Sequence, residues 1–210
     1  MTDAVLGPLL VVLGYLSGSV PYGYVLPKLL KGVDVRTIGS GNIGATNAAR
    51  AGGRLMGVAV FVLDVAKAMA PVVLAQRLLA GAPRQDVWVM GTAIAAFAGH
   101  LFPVWLGFKG GKGVAAGFGV FAVLAPVPAL AGLGAWIVVY LTVRISSVGS
   151  LAGTLVCAGG LFLQRGPGSP IAWAGAAVAA MIWWRHRENI GRILRGEEKP
   201  KPRKEKAAEG

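Results

Sequence analysis

Cysteine occurs once, histidine twice and acidic side chains only nine times in this 210-residue sequence. The lone Cys157 excludes a disulfide framework and a thiolate-rich metal site. With only His100 and His186 beside it, no dedicated metal site is expected, and no cofactor motif is present. Charge of either sign is scarce: 14% of residues are Asp, Glu, Lys or Arg and 55% are hydrophobic. Ordinary soluble domains carry about 25% charged residues, so a water-covered core is excluded. A basic leader is also missing. Met1-Thr2-Asp3 does not resemble the start of a cleavable signal.

What is present is a series of long apolar runs. No charge falls in residues 4–27, 87–108, 113–143, 145–164 or 166–184. Residues 55–76 form a sixth run, interrupted only by Asp64 and Lys67. About 18 apolar residues mark a spanning helix, so the chain is read as an all-α, polytopic integral membrane protein. Run 113–143 would be about 46 Å long as one helix, against a hydrocarbon core of about 30 Å. Pro126 and Pro128 stand near its middle and disfavour helix just before them. Two shorter helices joined by a proline turn are expected there, giving seven transmembrane helices.

Charge asymmetry orients the chain. With seven crossings, only Arg77, Arg84, Arg165 and Lys67 of the 21 basic residues fall off one face. By the positive-inside rule that face is cytoplasmic, with the N-terminus outside and the C-terminus inside. The net charge of +12 therefore gathers at the inner leaflet, where membrane lipids are the expected partner. Nucleic-acid binding is not expected of so hydrophobic a chain. Residues 1–196 read as one membrane domain, and 197–210 as a basic, disordered cytoplasmic tail.

Four loops share the cytoplasmic face. The first reads Gly39-Ser40-Gly41-Asn42-Ile43-Gly44-Ala45-Thr46-Asn47, followed by Arg50. Glycines let backbone N–H groups approach an anion, while Ser40, Asn42, Thr46 and Asn47 supply neutral donors. Arg50 adds a planar fork suited to phosphate oxygens. The second loop, Gly99-His100-Leu101-Phe102-Pro103 then Phe108-Lys109-Gly110-Gly111-Lys112-Gly113, resembles a phosphate cradle opening a helix. It is not a Walker A motif, because Gly113 stands where Ser or Thr is required. His100 is open between a structural and a site role. The third loop, Arg144-Ile145-Ser146-Ser147, taken alone is an ordinary turn. In the fourth, Arg185-His186-Arg187-Glu188-Asn189, His186 and Asn189 share a helical face, continued by Arg192. A histidine among cations stays neutral and can serve a phosphate as a hydrogen-bonding group. Asp64 and Lys67, at i and i+3 inside a span, are expected to pair with each other rather than to serve transport.

Together these loops resemble the acyl-phosphate-dependent glycerol-3-phosphate acyltransferases of bacterial membranes, the PlsY family. The match rests on the run from Gly39 to Asn47, the two halves of the second loop, and Arg185-His186-Arg187-Glu188-Asn189-Ile190. Where the family often shows Thr, this chain has Ala115-Ala116, a departure that touches packing. The resemblance implies transfer of an acyl group from acyl-phosphate to the 1-hydroxyl of glycerol 3-phosphate, giving lysophosphatidic acid and phosphate. It implies seven helices in the bacterial cytoplasmic (inner) membrane, with the site facing the cytoplasm. No obligate protein partner follows from it.

By motif position it implies catalytic roles for Ser40, Lys109, His186 and Asn189. Substrate phosphate would be held by Arg50, Gly41, Asn42, Gly44, Thr46, Asn47, Gly110, Gly111, Lys112 and Ser147. Ser146 is the alternative to Ser147. Acyl-phosphate already has a good leaving group, and no Ser-His-Asp arrangement is visible, so no covalent acyl-enzyme is expected. The rival reading is a transporter of a phosphorylated metabolite. Polar groups clustered at one face rather than at the midplane, and the lack of an inverted repeat, argue against it. A lipid-binding scaffold would depend on the basic tail.

Overall fold

The computed structural model describes residues 3–200, and within them every regular element is helical. The helices are α1 (Asp3–Ser19), α2 (Tyr22–Lys31), α3 (Ala45–Leu78), α4 (Gln85–Leu101), α5 (Val114–Leu124), α6 (Pro126–Val143), α7 (Ser146–Arg165), α8 (Pro170–Arg185) and α9 (Arg187–Leu194). Short 3-10 turns, Val35–Thr37 and Val104–Leu106, lie in the loops before α3 and α5.

Among the described residues five segments are long and apolar enough to cross a membrane: Asp3–Lys31, Ala45–Leu78, Gln85–Leu106, Pro126–Val143 and Ser146–Arg165. Their outer faces are greasy. Leu55, Leu141 and Leu163 are largely exposed, as side chains facing lipid would be. The helices α5 and α8 have 11 and 16 residues, fewer than the roughly 20 of a full crossing.

Three breaks shape the bundle. The long apolar run divides at Ala125, and α6 opens on Pro126, as the proline pair led one to expect. Charge spacing gave no sign of the other two. Within the run 4–27, the chain leaves helix at Val20–Pro21 and restarts as α2. Within α3, Gly52 and Gly53 depart from helical geometry, Gly53 at φ +81°, which glycine alone adopts freely. The kink detaches residues 45–51, carrying Thr46, Asn47 and Arg50, from the spanning part of α3.

Helix pairs approach through small residues, the way membrane helices pack when apolar burial gives no net drive. A β-carbon on Gly18 would lie 2.0 Å from the Ala96 carbonyl oxygen, and one on Gly99 2.3 Å from that of Tyr15. This locks α1 against α4. In α6 and α7, Gly132 and Gly153 face each other, each within 2.7 Å of the other's carbonyl by the same measure. Ala116, in the position noted above, is fully buried.

Buried inside are Asp64 and Lys67, paired at 2.8 Å. Lys67 Nζ also donates to the Val20 carbonyl at 2.6 Å, a group that the break before Pro21 leaves without a helical partner. Ser17 Oγ returns a bond to the Lys67 carbonyl at 2.7 Å. The expected pairing is therefore observed, and it staples α3 to the interrupted first segment.

Candidate active site

The first loop is organised around Asn47. Its side-chain amide donates to the carbonyls of Val35 and Ile38, at 2.7 and 3.1 Å, and is fully buried. Its Oδ1 accepts the Ser40 backbone N–H and an Arg50 guanidinium N–H, both at 3.2 Å. Gly39 permits this, since a β-carbon there would come within 2.4 Å of Asn47 Oδ1. Asn42 Oδ1 accepts the Gly44 N–H at 2.9 Å, closing an Asx turn. Asn42 and Asn47 thus shape the loop, leaving Ser40, Thr46 and Arg50 exposed on it. Gly41, at φ +65°, completes the turn.

The second loop is gripped from both sides. The Gly110 and Gly111 N–H groups donate to the carbonyls of Leu101 and His100, at 3.1 and 3.0 Å. Arg185 donates to the carbonyls of Gly110 and Gly111, at 2.6 and 3.1 Å. These glycine amides are therefore engaged within the protein, and the side chains of Lys109 and Lys112 are what the loop presents. Lys109 is exposed, whereas Lys112 is drawn in and donates to Asn189 Oδ1. Burial, with Arg192 nearby, pushes Lys112 down to about 8. Phe108, just before Lys109, and Arg144, which opens the third loop, both sit at positive φ. Such backbone is uncommon outside glycine.

The third and fourth loops complete the cluster. Ser147 is buried and donates to Glu198 Oε1 at 3.0 Å, while Ser146 Oγ lies 3.2 Å from Thr46 Oγ1. The two serines thus face different partners, and Ser146 is the one that meets the first loop. Asn189 is buried and uses both ends of its amide, accepting from Lys112 and donating to Glu198 at 2.6 Å. Arg192 Nε reaches Glu198 Oε2 at 2.6 Å. Burial alone would raise the Glu198 carboxyl. The bonds from Arg192, Asn189 and Ser147 outweigh it and hold the carboxyl below the usual glutamate range.

His186 stands at the α8–α9 corner, with Nδ1 2.8 Å from the Ile182 carbonyl. A carbonyl only accepts, so Nδ1 carries the proton and Nε2 keeps its lone pair. Burial is the main cause of the fall of His186 to about 4, opposed by the Ile182 bond and reinforced by Lys112. It is neutral at pH 7.

Four loops distant in sequence therefore meet at one end of the bundle. Thr46 with Ser146, Ser147 with Glu198, Asn189 with Lys112, and Arg185 with the glycine pair make the joints. Sequence reasoning missed Glu198, which it left in the tail, and gave Arg185 no role beyond its place in the fourth loop's motif. A glutamate after Gly196, among so many cations, was the available signal.

Comparison with known proteins decides the kinship. The glycerol-3-phosphate acyltransferase family model matches residues 8–196. The chain belongs to the glycerol-3-phosphate acyltransferase family. A family member from Anaeromyxobacter sp. (strain K) is 64% identical over 199 residues, covering 95% of this chain and 99% of the relative. Another, from Myxococcus xanthus (strain DK1622), is 47% identical over 90% of this chain and 97% of the relative. Among solved family structures, PlsY, an integral membrane glycerol 3-phosphate acyltransferase, superposes in its glycerol 3-phosphate form with a TM-score of 0.87. It shares 38% identity, over 94% of this chain and 96% of that one. The lysophosphatidic acid form of PlsY gives a TM-score of 0.84 at the same coverage. The chain is accordingly an integral membrane protein of the PlsY type.

Proposed function

We propose that this protein acylates glycerol 3-phosphate at its 1-hydroxyl with acyl-phosphate as donor, releasing lysophosphatidic acid and inorganic phosphate. The observation that carries the reading is the meeting of Lys112, Asn189, His186, Ser147 and the Arg50 loop beside greasy helices. A site of that kind can hold two phosphates while one reactant keeps its chain in lipid. Kinship to glycerol-3-phosphate acyltransferases supports the acceptor, and the cations and hydroxyls of the loops, suited to a second phosphate, support the donor.

The residues suit direct transfer. The substrate hydroxyl oxygen attacks the acyl carbonyl carbon, the carbon–oxygen bond to phosphate breaks, and phosphate leaves with its electron pair. Ser40, Lys109, His186 and Asn189 flank this step, with Arg50, Lys112 and the polar groups of the first and second loops beside the phosphates. Neutral His186 offers Nε2 as an acceptor that orients the hydroxyl. With a value near 4 it is a weak base. A phosphate oxygen, whose second proton binds near pH 6, is the better sink for the hydroxyl proton. Asn189 and Lys112, fixed to one another, stabilise negative charge on the departing phosphate.

The reading includes seven crossings, with α5 and α8 as short ones, and a site on the cytoplasmic side of a bacterial inner membrane. Of the basic tail expected over 197–210, residues 201–210 lie outside the described residues. The decisive experiment gives purified protein in detergent radiolabelled glycerol 3-phosphate with acyl-phosphate, and separately with acyl-CoA. Lysophosphatidic acid is expected only from the first. Product from acyl-CoA alone overturns the donor, and a stable acyl-enzyme on Ser40 or Ser147 overturns direct transfer.

A further inference from the structure

Arg185 ends α8 one residue before His186, and its guanidinium bridges two consecutive backbone carbonyls. Nη2 donates to Gly110 at 2.6 Å and Nε to Gly111 at 3.1 Å. The group also stands 5.9 Å from the centre of the Phe102 ring. On the opposite side the same two residues give their N–H groups to Leu101 and His100. There is no slack there either. A β-carbon on Gly110 would lie 2.2 Å from the His100 carbonyl oxygen, and one on Gly111 2.1 Å from His100 Nε2. All four backbone polar groups of the pair are thus committed, and the loop has one resting place.

That place matters because of what flanks it. Lys112 follows Gly111 directly and donates to Asn189, which sits four residues after Arg185. A single guanidinium therefore ties the loop that carries the lysines to the corner that carries His186 and Asn189. A lysine in its place would keep the charge, but its ammonium lacks the rigid fork that spans two carbonyls.

We propose that Arg185 is a positioning residue: it holds the Gly110-Gly111 pair against His100 so that Lys112 is presented to Asn189 and the substrate phosphate. The proposal rests on the reading of Lys112 as a phosphate-binding group. It does not require a particular acyl donor.

A double-mutant cycle tests it. Arg185→Lys is expected to lower kcat/KM for glycerol 3-phosphate about tenfold or more, with the melting midpoint in detergent unchanged. In a Lys112→Ala background the same change is expected to cost less than about twofold, because the group it positions is gone. Neighbouring Arg187→Lys serves as the charge-conserving control, expected to match the wild type. Gly111→Ala pushes the loop from the His100 side and is expected to show the same loss and the same lack of additivity, which keeps the test intact if Arg185→Lys folds poorly. Full additivity with Lys112→Ala, or wild-type kinetics in Arg185→Lys, overturns the proposal. The cycle is read in parallel as glycerol 3-phosphate affinity by calorimetry. Coupling seen in binding while acyl-phosphate yields no product removes the donor assignment and leaves the positioning role standing.

Discussion

Lys112 donates its ammonium proton to the side-chain oxygen of Asn189, joining two motifs that lie far apart in the sequence. Asn189 passes the link on to Glu198, and Glu198 to Ser147 and Arg192. Lys109, the other lysine of the loop, takes no place in this chain and stays exposed.

The two lysines should therefore fail differently. Lys112→Ala removes a group built into the cluster and leaves the Asn189 oxygen without its donor. It is expected to cut kcat/KM about a hundredfold or more, the scale of losing a preorganised charge at a reacting site. Lys109→Ala is expected to act through substrate alone, with little change in the ordering of Asn189. Steady-state kinetics of both variants, with side-chain NMR of Asn189, separates the two. Equal disturbance of Asn189 in both variants counts against the arrangement.

The pH dependence follows from the same pair of groups. Lys112 is held at about 8, so it is charged at pH 7 and loses its proton as pH rises through 8. An alkaline limb in kcat/KM near that value is expected, falling about tenfold per pH unit. Lys112→Arg, which cannot deprotonate in this range, should flatten it.

His186 behaves in the opposite range, lowered from 6.5 to about 4. The unfolded chain takes up that proton at 6.5 and the folded chain only near 4. Its contribution to stability is thus present above pH 6.5 and is lost as pH falls towards 4. An NMR titration should show one of the two histidine rings, absent in His186→Asn, unchanged from pH 8 to 5. A titration of that ring near 6.5 would falsify the buried neutral assignment.

The sequence revealed more of the bundle than of its joints. The proline break in the long apolar run and the Asp64–Lys67 pair were legible because each depends on chemistry within a few residues: a missing N–H, or two charges one turn apart. The cluster of glycines, hydroxyls and cations was legible for the same reason. What lay beyond reach depends on partners distant along the chain. Asn42 and Asn47 looked like substrate donors, yet in the folded loop they hold backbone groups in place. Gly110 and Gly111 looked like an anion cradle, but their N–H groups are taken by the end of α4. No local rule foretells that a carboxylate past Gly196 returns to Ser147.

Among the described residues Glu198 is the last to join the cluster, through Ser147, Asn189 and Arg192, and truncations should show it. Deletion of residues 199–210 is expected to leave nearly full activity. Deletion of 197–210 removes the acceptor shared by Ser147, Asn189 and Arg192 and should abolish most of it. Glu198→Ala reproduces that loss, because three donors lose their partner and bonds to charged groups are worth about 1.5–3 kcal/mol each. Glu198→Gln keeps an acceptor but drops the charge facing Arg192, so an intermediate rate is expected. A full-length Glu198→Ala protein with wild-type turnover would mean that the cluster organises itself without the carboxylate.

The buried pair in α3 sets a test of stability separate from the site. Asp64 and Lys67 are both almost wholly enclosed, and Lys67 also holds the Val20 carbonyl at the break before Pro21. Asp64→Asn strands the ammonium in a low-dielectric interior. Removing one partner of a buried pair costs about 3–5 kcal/mol, whereas replacing both with apolar side chains of similar volume is often close to neutral. Asp64→Leu with Lys67→Met should accordingly be more stable than Asp64→Asn alone. It should still fall short of the wild type, because the Val20 carbonyl and His100, 3.7 Å from Asp64, each lose a polar neighbour. Unfolding by sodium dodecyl sulfate in mixed micelles ranks the three proteins. If Asp64→Asn is the more stable variant, the two charges do not stabilise each other and Lys67 is held chiefly by the carbonyl of Val20.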